Sequence, residues 1–446
     1  MKKSYPLIVT IILFLLTPCL LFGLTIEDEK KYGAQIYNEI ARSTNINNDP
    51  YISFHIRKIK EKLESVANMP FDVVITVIES STMDAFATIG GYVYITTGLI
   101  AQCEKEEELA GVIAHEFAHI YRRHIAKRYE KEKYINIGML SSLVLAMLAP
   151  DQRAKEAILT TGIASAQSLS LKYSREDEDE ADRFGSKFAE SAGYGGFGIA
   201  EFLKRLRLSG ADKILPQYLL THPYHDERIK KLESIWKERK PIPDSPLFPF
   251  ILVRAKTSNI MHGTPSDEIW INRYKKNISD PVAAYGAYLV YLRKGNINEA
   301  LEAAGSIRLP EVKDLLYGEA LTSTGKFKDA IETLKNVKHD SDCYYISKIF
   351  LAKSYEAQGE WKKALDEWSE LTKFGNSYPE ILYRFAMLSG RMGMEARGFE
   401  YLGRYYLAIG RIDQAKTNLE KAVSRYGINS NEAKELLLLL DAIKKK

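Results

Sequence analysis

The sequence predicts an α+β chain in which a mostly helical domain with a small sheet precedes an all-α solenoid. Two short segments, 71–78 and 91–97, carry strand signals, whereas apolar residues at helical spacing dominate 98–238. A proline-rich stretch at 241–249 separates this domain from a region with internal repeats. At 446 residues, the chain is long enough for two or three domains.

The N-terminus has the pattern of an export signal. The basic pair Lys2-Lys3 precedes an apolar run from 7 to 22, and small or polar residues follow. We therefore predict a secretory signal peptide over residues 1–24. An uncleaved membrane anchor is the alternative, because the run does not end in a clean A-x-A cleavage site. The net charge of +4 indicates neither a nucleic-acid ligand nor a strongly acidic partner.

Two predicted helices are followed by two predicted strands in the segment up to residue 97. Segments 32–40 and 52–66 have the spacing of helices, and 71–78 and 91–97 are rich in β-branched and aromatic residues. The second strand is a candidate edge strand that binds an extended substrate through its backbone. Its residues in this role are Gly91, Tyr92, Val93, Tyr94 and Ile95.

The next helix contains an H-E-x-x-H motif formed by His115, Glu116 and His119. Residues four apart lie on one helix face, so both imidazoles can bind one zinc ion. Glu116 then lies beside the metal, where it can accept a proton from water. The alternative is a partly buried helix whose histidines bond to carbonyl groups. The motif predicts a metallopeptidase with one zinc ion per chain.

A catalytic zinc needs a third protein ligand and an open position for water. A histidine six residues after the motif is absent, because position 125 is Ile; His124 comes one residue too early and is predicted to bond to a neighbouring helix. The acidic run 176–182 offers carboxylates, among which Glu178 and Asp182 share a helix face. One could bind zinc while the other orients a histidine, but the residues alone do not choose Glu178 over its neighbours.

An uncharged apolar run at 135–148 is too short to span a bilayer. It predicts a buried or gate-like helix near the active site, or alternatively a contact with a membrane surface. A more polar helix at 154–173 is expected to pack beside it.

The C-terminal region carries degenerate repeats. Four glycines each precede an alanine by five residues: Gly295, Gly325, Gly359 and Gly410. Gly325 and Gly359 are 34 residues apart, which is the tetratricopeptide period. The other intervals, 30 and 51, suggest an irregular insertion around 385–400. We predict a tetratricopeptide-repeat domain over 281–446, with a connecting segment at 241–280. A generic helical bundle is the alternative. A solenoid of this type usually presents a concave protein-binding face.

Two motifs together resemble a known family. H-E-F-A-H at 115–119 with E-D-E-A-D at 178–182 is similar to the gluzincins that include the CAAX prenyl proteases and the bacterial membrane-stress proteases. The resemblance implies a zinc metallopeptidase domain over 25–240. It implies that Glu178 is the third zinc ligand and that Asp182 supports the metal site.

Two further segments are similar to the same family. D-A-F-A-T-I-G-G at 84–91 resembles the family's N-A-F-A-x-P-G-G and departs from it at its first and sixth residues. T-H-P at 221–223, followed by Arg228, resembles the family's T-H-P…R-I, which implies that His222 and Arg228 lie near the zinc. His222 could fill the open zinc position at rest, or hydrogen-bond the oxyanion alone or with Arg228. A loop histidine that caps a helix is the alternative.

Within this family the likeness is greatest to periplasmic members with a signal peptide and C-terminal tetratricopeptide repeats. The resemblance implies a periplasmic zinc endopeptidase that hydrolyses misfolded or misassembled envelope proteins, in quality control of outer-membrane β-barrels. The repeats would recruit a substrate or a protein of the envelope assembly machinery, and membrane association stays open. One alternative is a chaperone or assembly scaffold in which proteolysis is secondary. Another is a module with a closed, structural zinc site.

Overall fold

The computed structural model describes residues 24–131, 145, 173–209, 218–223, 226–238, 242–258 and 267–444. Apart from single residues at 24, 145 and 173, the predicted signal peptide, the apolar run 135–148 and the helix predicted at 154–173 lie outside these ranges. In the part of the chain described, no helix combines the length and apolar character needed to cross a membrane.

The N-terminal half is mostly helical with a small sheet, as predicted. Its elements are α1 (Ile26–Ser43), α2 (Pro50–Val66), β1 (Val74–Ile78), β2 (Ala85–Thr88), β3 (Tyr92–Thr96), α3 (Thr97–Gln102), α4 (Glu106–Tyr121), α5 (His124–Lys131), α6 (Arg175–Ser191), α7 (Gly198–Ser209), α8 (Tyr218–Thr221) and α9 (Asp226–Ile235). The strand β2 was not predicted, because it is only four residues long and half of them are alanine.

The three strands are ordered β1-β3-β2. β1 runs parallel to β3, and β2 pairs antiparallel with the other side of β3. The prediction that Gly91 to Ile95 form an edge strand is therefore wrong. Both sides of the β3 backbone are already hydrogen-bonded within the sheet, and the outer edges belong to β1 and β2.

α4 is the central helix of this domain. All of its residues except Glu107 and Tyr121 are buried, and it packs against α6, α7 and β2. Its first turn is held by the proline-rich stretch. The Glu106 N–H donates to Asp244 Oδ1 over 2.8 Å, and the Ser245 N–H donates to Glu106 Oε2 over 2.6 Å. The first bond satisfies a backbone N–H that a helix leaves free at its start, and the second ties the Glu106 carboxylate to the proline-rich stretch.

The rest of the chain is helical. Its elements are α10 (Phe248–Ser258), α11 (Asp267–Lys276), α12 (Pro281–Lys294), α13 (Ile297–Gly305), α14 (Pro310–Ser323), α15 (Phe327–Leu334), α16 (Tyr344–Ala357), α17 (Trp361–Leu371), a 3-10 turn (Thr372–Phe374), α18 (Glu380–Arg391), α19 (Glu395–Ala408), α20 (Ile412–Tyr426) and α21 (Asn431–Lys444). The connecting segment predicted at 241–280 thus contains two helices, and α10 packs against α2, α3 and α12.

Glycines in the left-handed conformation mark the turns between paired helices. Gly295, Gly325 and Gly359 have φ values of 75°, 78° and 74°, a conformation that side chains with a Cβ rarely adopt. Gly393 has φ 78° in the turn between α18 and α19. The irregular insertion predicted around 385–400 is therefore wrong, because that region is a regular helix pair 34 residues after Gly359. It was overlooked because Gly398 replaces the usual alanine.

The repeats pack against the N-terminal half and share one continuous core with it. Tyr51 Oη on α2 donates to Glu319 Oε2 on α14 over 2.8 Å, and Phe54 packs edge-on against Phe374 with ring centroids 5.1 Å apart. Tyr37 Oη on α1 donates to the Ala408 carbonyl oxygen over 2.8 Å. The N-terminal half thus covers part of the repeat surface that the sequence predicts to be free for a partner.

Arg254 on α10 is the main polar contact at this junction. Its guanidinium lies 3.5 Å over the Tyr51 ring and bonds to Asp49 Oδ2 and to Glu319 Oε1, the latter over 3.0 Å. The connecting helix therefore joins the two halves through a buried cation with a carboxylate on each side.

Candidate active site

Close packing of α6 on α4 brings the two predicted motifs together. A Cβ at Gly185 would lie 2.8 Å from the His115 Cα, so only glycine permits this approach. Glu178 and Asp182 precede Gly185 by seven and three residues and therefore lie on the same face of α6. Ser174 begins this helix with a capping box.

Four side chains converge at this contact: His115, His119, Glu178 and His222. All four are 0% exposed. His115 Nε2 lies 3.0 Å from His119 Nε2 and 3.3 Å from His222 Nδ1. Glu178 Oε1 lies 3.0 Å from His222 Nδ1 and 3.5 Å from His119 Nε2. His222, which directly follows α8, thus joins the three predicted zinc ligands.

These distances are in the range expected for side chains that share one metal ion. A tetrahedron with metal–ligand bonds of about 2.0–2.1 Å has edges of about 3.3–3.4 Å, close to the separations of these atoms. A metal ion bound between ring nitrogens that face one another at 3.0 to 3.3 Å would accept the lone pairs of all of them. Three imidazoles and one carboxylate are also ligands that zinc prefers.

Glu116 lies at the edge of this group. Its two carboxylate oxygens are buried and have no hydrogen bond of ordinary geometry within the described ranges. His222 Nε2 is 3.4 Å from Glu116 Oε1. Burial raises the pKa of Glu116, and the nearby His222 and His115 partly oppose this effect. A buried carboxylate with a raised pKa beside a metal site is suited to accept and return a proton.

Asp182 and Arg228 contact the converging side chains and support them. Asp182 Oδ1 lies 3.0 Å from His115 Nδ1, close enough to orient this imidazole. Arg228 is 1% exposed, and its Nε and Nη2 donate to the two Asp182 oxygens over 2.7 and 2.8 Å. Its Nη1 lies 2.6 Å from Glu178 Oε2 and donates to the Pro223 carbonyl oxygen over 3.2 Å.

Arg228 therefore does not have the position expected of an oxyanion ligand. All three guanidinium nitrogens are directed at carboxylates or a carbonyl, so none faces the open side of the site. Burial alone would raise the pKa of both carboxyl groups, but Arg228 outweighs it. The pKa of Asp182 falls to about 2, and that of Glu178 lies well below its usual range. Arg228 thus keeps Glu178 ionised and oriented.

His124 has a role that the sequence did not reveal. Its Nε2 lies 3.0 Å from Glu180 Oε2 on α6, which confirms the predicted bond to a neighbouring helix. Its Nδ1, however, also lies 2.9 Å from His119 Nδ1. Arg123 adopts the left-handed conformation, with φ 55°, and turns the chain so that His124 faces His119. No local sequence signal predicts a left-handed arginine.

Two tyrosines, also missed from sequence, stack on the histidines. Tyr173 lies 3.7 Å from His119 and Tyr218 lies 4.4 Å from His222, measured between ring centroids. Both tyrosines are buried. They restrict the rotation of the two imidazoles, which holds the nitrogens in place.

Replacing His124 with phenylalanine is expected to weaken zinc binding by about 10–100-fold, because a zinc-binding histidine loses the partner of its second nitrogen. Competition with a chromophoric chelator measures this affinity. The exposed His339→Phe variant, remote from the site, is the control. Equal affinities of the two variants would show that His124 does not support the metal site.

The comparisons with known proteins agree with this geometry. Peptidase family M48 matches residues 53–236, a range that contains all four converging side chains and Glu116. The chain carries an M48 peptidase domain. This domain is a metallopeptidase domain, and its site is formed by α4, α6 and the segment after α8.

Curated relatives extend the M48 match toward the repeats. A Vibrio cholerae protein named as a putative beta-barrel assembly-enhancing protease is 32% identical over 286 residues, covering 60% of this chain and 57% of that protein. The beta-barrel assembly-enhancing protease of Escherichia coli K12 is 26% identical over 433 residues, covering 91% of this chain and 86% of its own length. The mitochondrial metalloendopeptidase OMA1 of Arabidopsis thaliana is 31% identical over 158 residues, covering 35% of this chain and 30% of that protein.

Among solved structures, the crystal structure of yeast Tom70 is similar with a TM-score of 0.28 and 12% identity, over 75% of this chain and 82% of that chain. A likeness of this size supports no conclusion about the fold or the function.

Proposed function

We propose that this protein is a periplasmic zinc endopeptidase that hydrolyses misfolded or misassembled outer-membrane proteins. The buried group of His115, His119 and Glu178 beside Glu116, inside an M48 domain, carries the proposal. The substrate class is supported by the names of the relatives, and export by the predicted signal peptide at 1–24.

The residues have distinct tasks in this reaction. His115, His119 and Glu178 would hold the zinc ion, which when bound polarises a peptide carbonyl and lowers the pKa of water. Glu116 accepts a proton from the attacking water and later donates it to the leaving amine. Asp182 and Arg228 keep the ligands in place and ionised.

The strand β2, rather than β3, is suited to bind the substrate backbone. The Thr96 N–H donates to the Asp84 carbonyl oxygen, and the alternation along β2 then directs the polar backbone groups of Ala85 and Ala87 away from β3. The Ala87 N–H is near enough to the Glu116 carboxylate to lower the pKa of that carboxyl group. This edge of β2 therefore borders the zinc site. A substrate strand paired with β2 would pass Glu116, which favours unfolded chains over folded ones.

His222 would close the site in the resting enzyme. Its Nδ1 takes the fourth corner of the tetrahedron, the position that a catalytic site leaves open for water or substrate. A closed set of four ligands is also typical of structural zinc sites. Glu116, buried beside the metal-binding group without a hydrogen-bonding partner of ordinary geometry in the described residues, and the M48 match favour the peptidase.

His222→Ala is expected to raise the rate of casein hydrolysis, because the fourth position becomes free for water. The test compares zinc content, with one ion per chain expected, and the hydrolysis rate of wild type and variant. A variant that keeps its zinc and hydrolyses more slowly would contradict closure by His222 and indicate that this residue assists the reaction.

The substrate class needs its own experiment. An unfolded outer-membrane β-barrel protein and the same protein folded in detergent are incubated with the zinc-loaded enzyme, and cleavage is followed by gel electrophoresis. We expect only the unfolded form to be cleaved. Cleavage of neither form by wild type and His222→Ala would contradict the proposed substrate.

A further inference from the structure

A cleft of about 1100 Å³ lies between the M48 domain and the last repeats. One wall consists of β1 and the connection between α1 and α2. The other consists of residues 376–379 before α18 and 408–411 between α19 and α20. Because β1 and β2 are opposite edges of the sheet, this cleft is separate from the zinc site.

The β1 edge presents free backbone groups to this cleft. The Val74 N–H donates to the carbonyl oxygen of Gly91, the residue before β3, whereas the Val77 carbonyl oxygen accepts from the Asn47 N–H on the outer side. Backbone groups alternate between the two sides of a strand, so the N–H and C=O of Ile75 point outward. In the described part of the chain, neither group has a hydrogen-bonding partner.

The same edge already binds an extended segment. The Asn47 N–H donates to the Val77 carbonyl oxygen and the Glu79 N–H donates to the Asn45 carbonyl oxygen, both over 2.8 Å. Ile46 and Ile78 form an antiparallel bridge between these bonds. The pairing ends at Asp49, which caps α2 instead. At Ile75 the outer edge of β1 faces the cleft rather than another strand. At the next outward position, the Val73 N–H donates to Glu64 Oε1 over 3.2 Å.

The repeat wall of the cleft is mixed in character. Its residues are Asn376, Ser377, Pro379, Ala408, Ile409 and Arg411. Pro379 and Ile409 are half-buried, and Asn376 and Arg411 are exposed. A segment bound in the cleft would therefore meet apolar and polar groups on this side.

We propose that this cleft binds an extended segment of the protein substrate, remote from the bond that is cleaved. The substrate backbone would continue the pairing on β1 at Ile75, and its apolar side chains would contact Pro379 and Ile409 on the repeat wall. An extended polypeptide is the occupant because main-chain groups recognise main chain, and the neighbouring Asn45–Asn47 segment binds this edge in the same way. This inference rests on the proposed function for the identity of the polypeptide.

Ile75→Pro tests the backbone pairing. Proline removes the outward N–H without removing a hydrogen bond to β3, and edge strands tolerate proline at such positions. Ile75→Val keeps the N–H and is the matched control. Both are made in a Glu116→Gln background, so that the probe is not cleaved. The probe is a fluorescein-labelled peptide of alternating tyrosine and threonine with a lysine at each end, followed by fluorescence anisotropy.

We expect Ile75→Pro to bind this peptide about ten-fold more weakly than Ile75→Val. This is the effect of losing one backbone hydrogen bond and weakening the bonds beside it. The variant Ile409→Ser, on the repeat wall of the cleft, should also weaken binding several-fold. This variant carries the test if thermal unfolding shows that Ile75→Pro does not fold. Equal affinities of both variants and the control would overturn the proposal.

A kinetic experiment separates this inference from the proposed function. In the active enzyme, Ile75→Pro should raise KM for the unfolded β-barrel protein and leave kcat/KM for a short peptide unchanged. Unchanged KM for both substrates, with hydrolysis that still depends on Glu116, would reject the cleft and retain the peptidase. Peptide binding in the cleft without any hydrolysis by wild type would retain the cleft as a binding site and reject the peptidase.

Discussion

Replacing Glu116 with glutamine is expected to lower peptide hydrolysis by about 10²–10⁴-fold while the zinc content stays at one ion per chain. Glutamine has nearly the same volume but cannot accept the proton of the attacking water. Since Glu116 is not one of the four converging side chains, the metal site should survive the change. The measurements are kcat on casein and zinc by atomic absorption.

The matched control is Glu176→Gln, which removes an exposed carboxylate two residues before Glu178. It should hydrolyse casein like wild type. If Glu116→Gln with zinc bound also hydrolyses casein like wild type, Glu116 is not the general base. The Glu116→Gln variant also distinguishes a peptidase from an assembly scaffold, because a scaffold would retain its effect on outer-membrane proteins without hydrolysis.

Replacing Arg228 with methionine is expected to lower the free energy of unfolding by about 3–5 kcal/mol, since it leaves two buried carboxylates without their cation. Arg228 binds both Asp182 oxygens and contacts Glu178, and all three side chains are buried. The loss should be larger in protein treated with a chelator, because zinc supplies a second positive charge beside Glu178. Urea unfolding with and without chelator measures both quantities.

Two further variants make this test specific. Arg183→Met removes an exposed arginine from α6 and should change stability little. Adding Asp182→Asn to Arg228→Met should recover part of the loss, because one uncompensated charge is removed. If Arg228→Met is as stable as Arg183→Met, the buried ion pairs do not support the metal site.

The metal-binding helix could be predicted because its signal is local. The spacing of His115 and His119 places both imidazoles on one helix face whatever the rest of the chain does. The glycine turns of the repeats are equally local, since a left-handed residue is needed between two packed helices. The peptidase chemistry and the helical repeats therefore follow from residue spacing.

The choice among the acidic residues at 176–182 had a different basis. Their helical spacing allowed Glu178 and Asp182 to share a face, but only the family resemblance selected Glu178. The structure adds the physical reason. Gly185 lets α6 approach α4, so the carboxylate seven residues earlier reaches the histidines.

Strand order and the partners of single side chains were decided by tertiary structure. β3 lies between β1 and β2, so the expected substrate edge is at β2, which borders Glu116. Arg228 binds carboxylates instead of facing the site, and His124 supports His119 after a left-handed turn. None of these contacts leaves a periodic pattern in the sequence.

By itself, the sequence determined the metal-binding motif, the helical character of both halves and the repeat period, because each depends on residues within a few helical turns. Only the tertiary structure decided that the repeats cover α2 of the M48 domain. It also brings His222 against His115, His119 and Glu178, a position that only the family resemblance had implied. Such contacts join residues far apart in the chain. They depend on how helices pack and on which buried charges must be paired, and local spacing does not encode either.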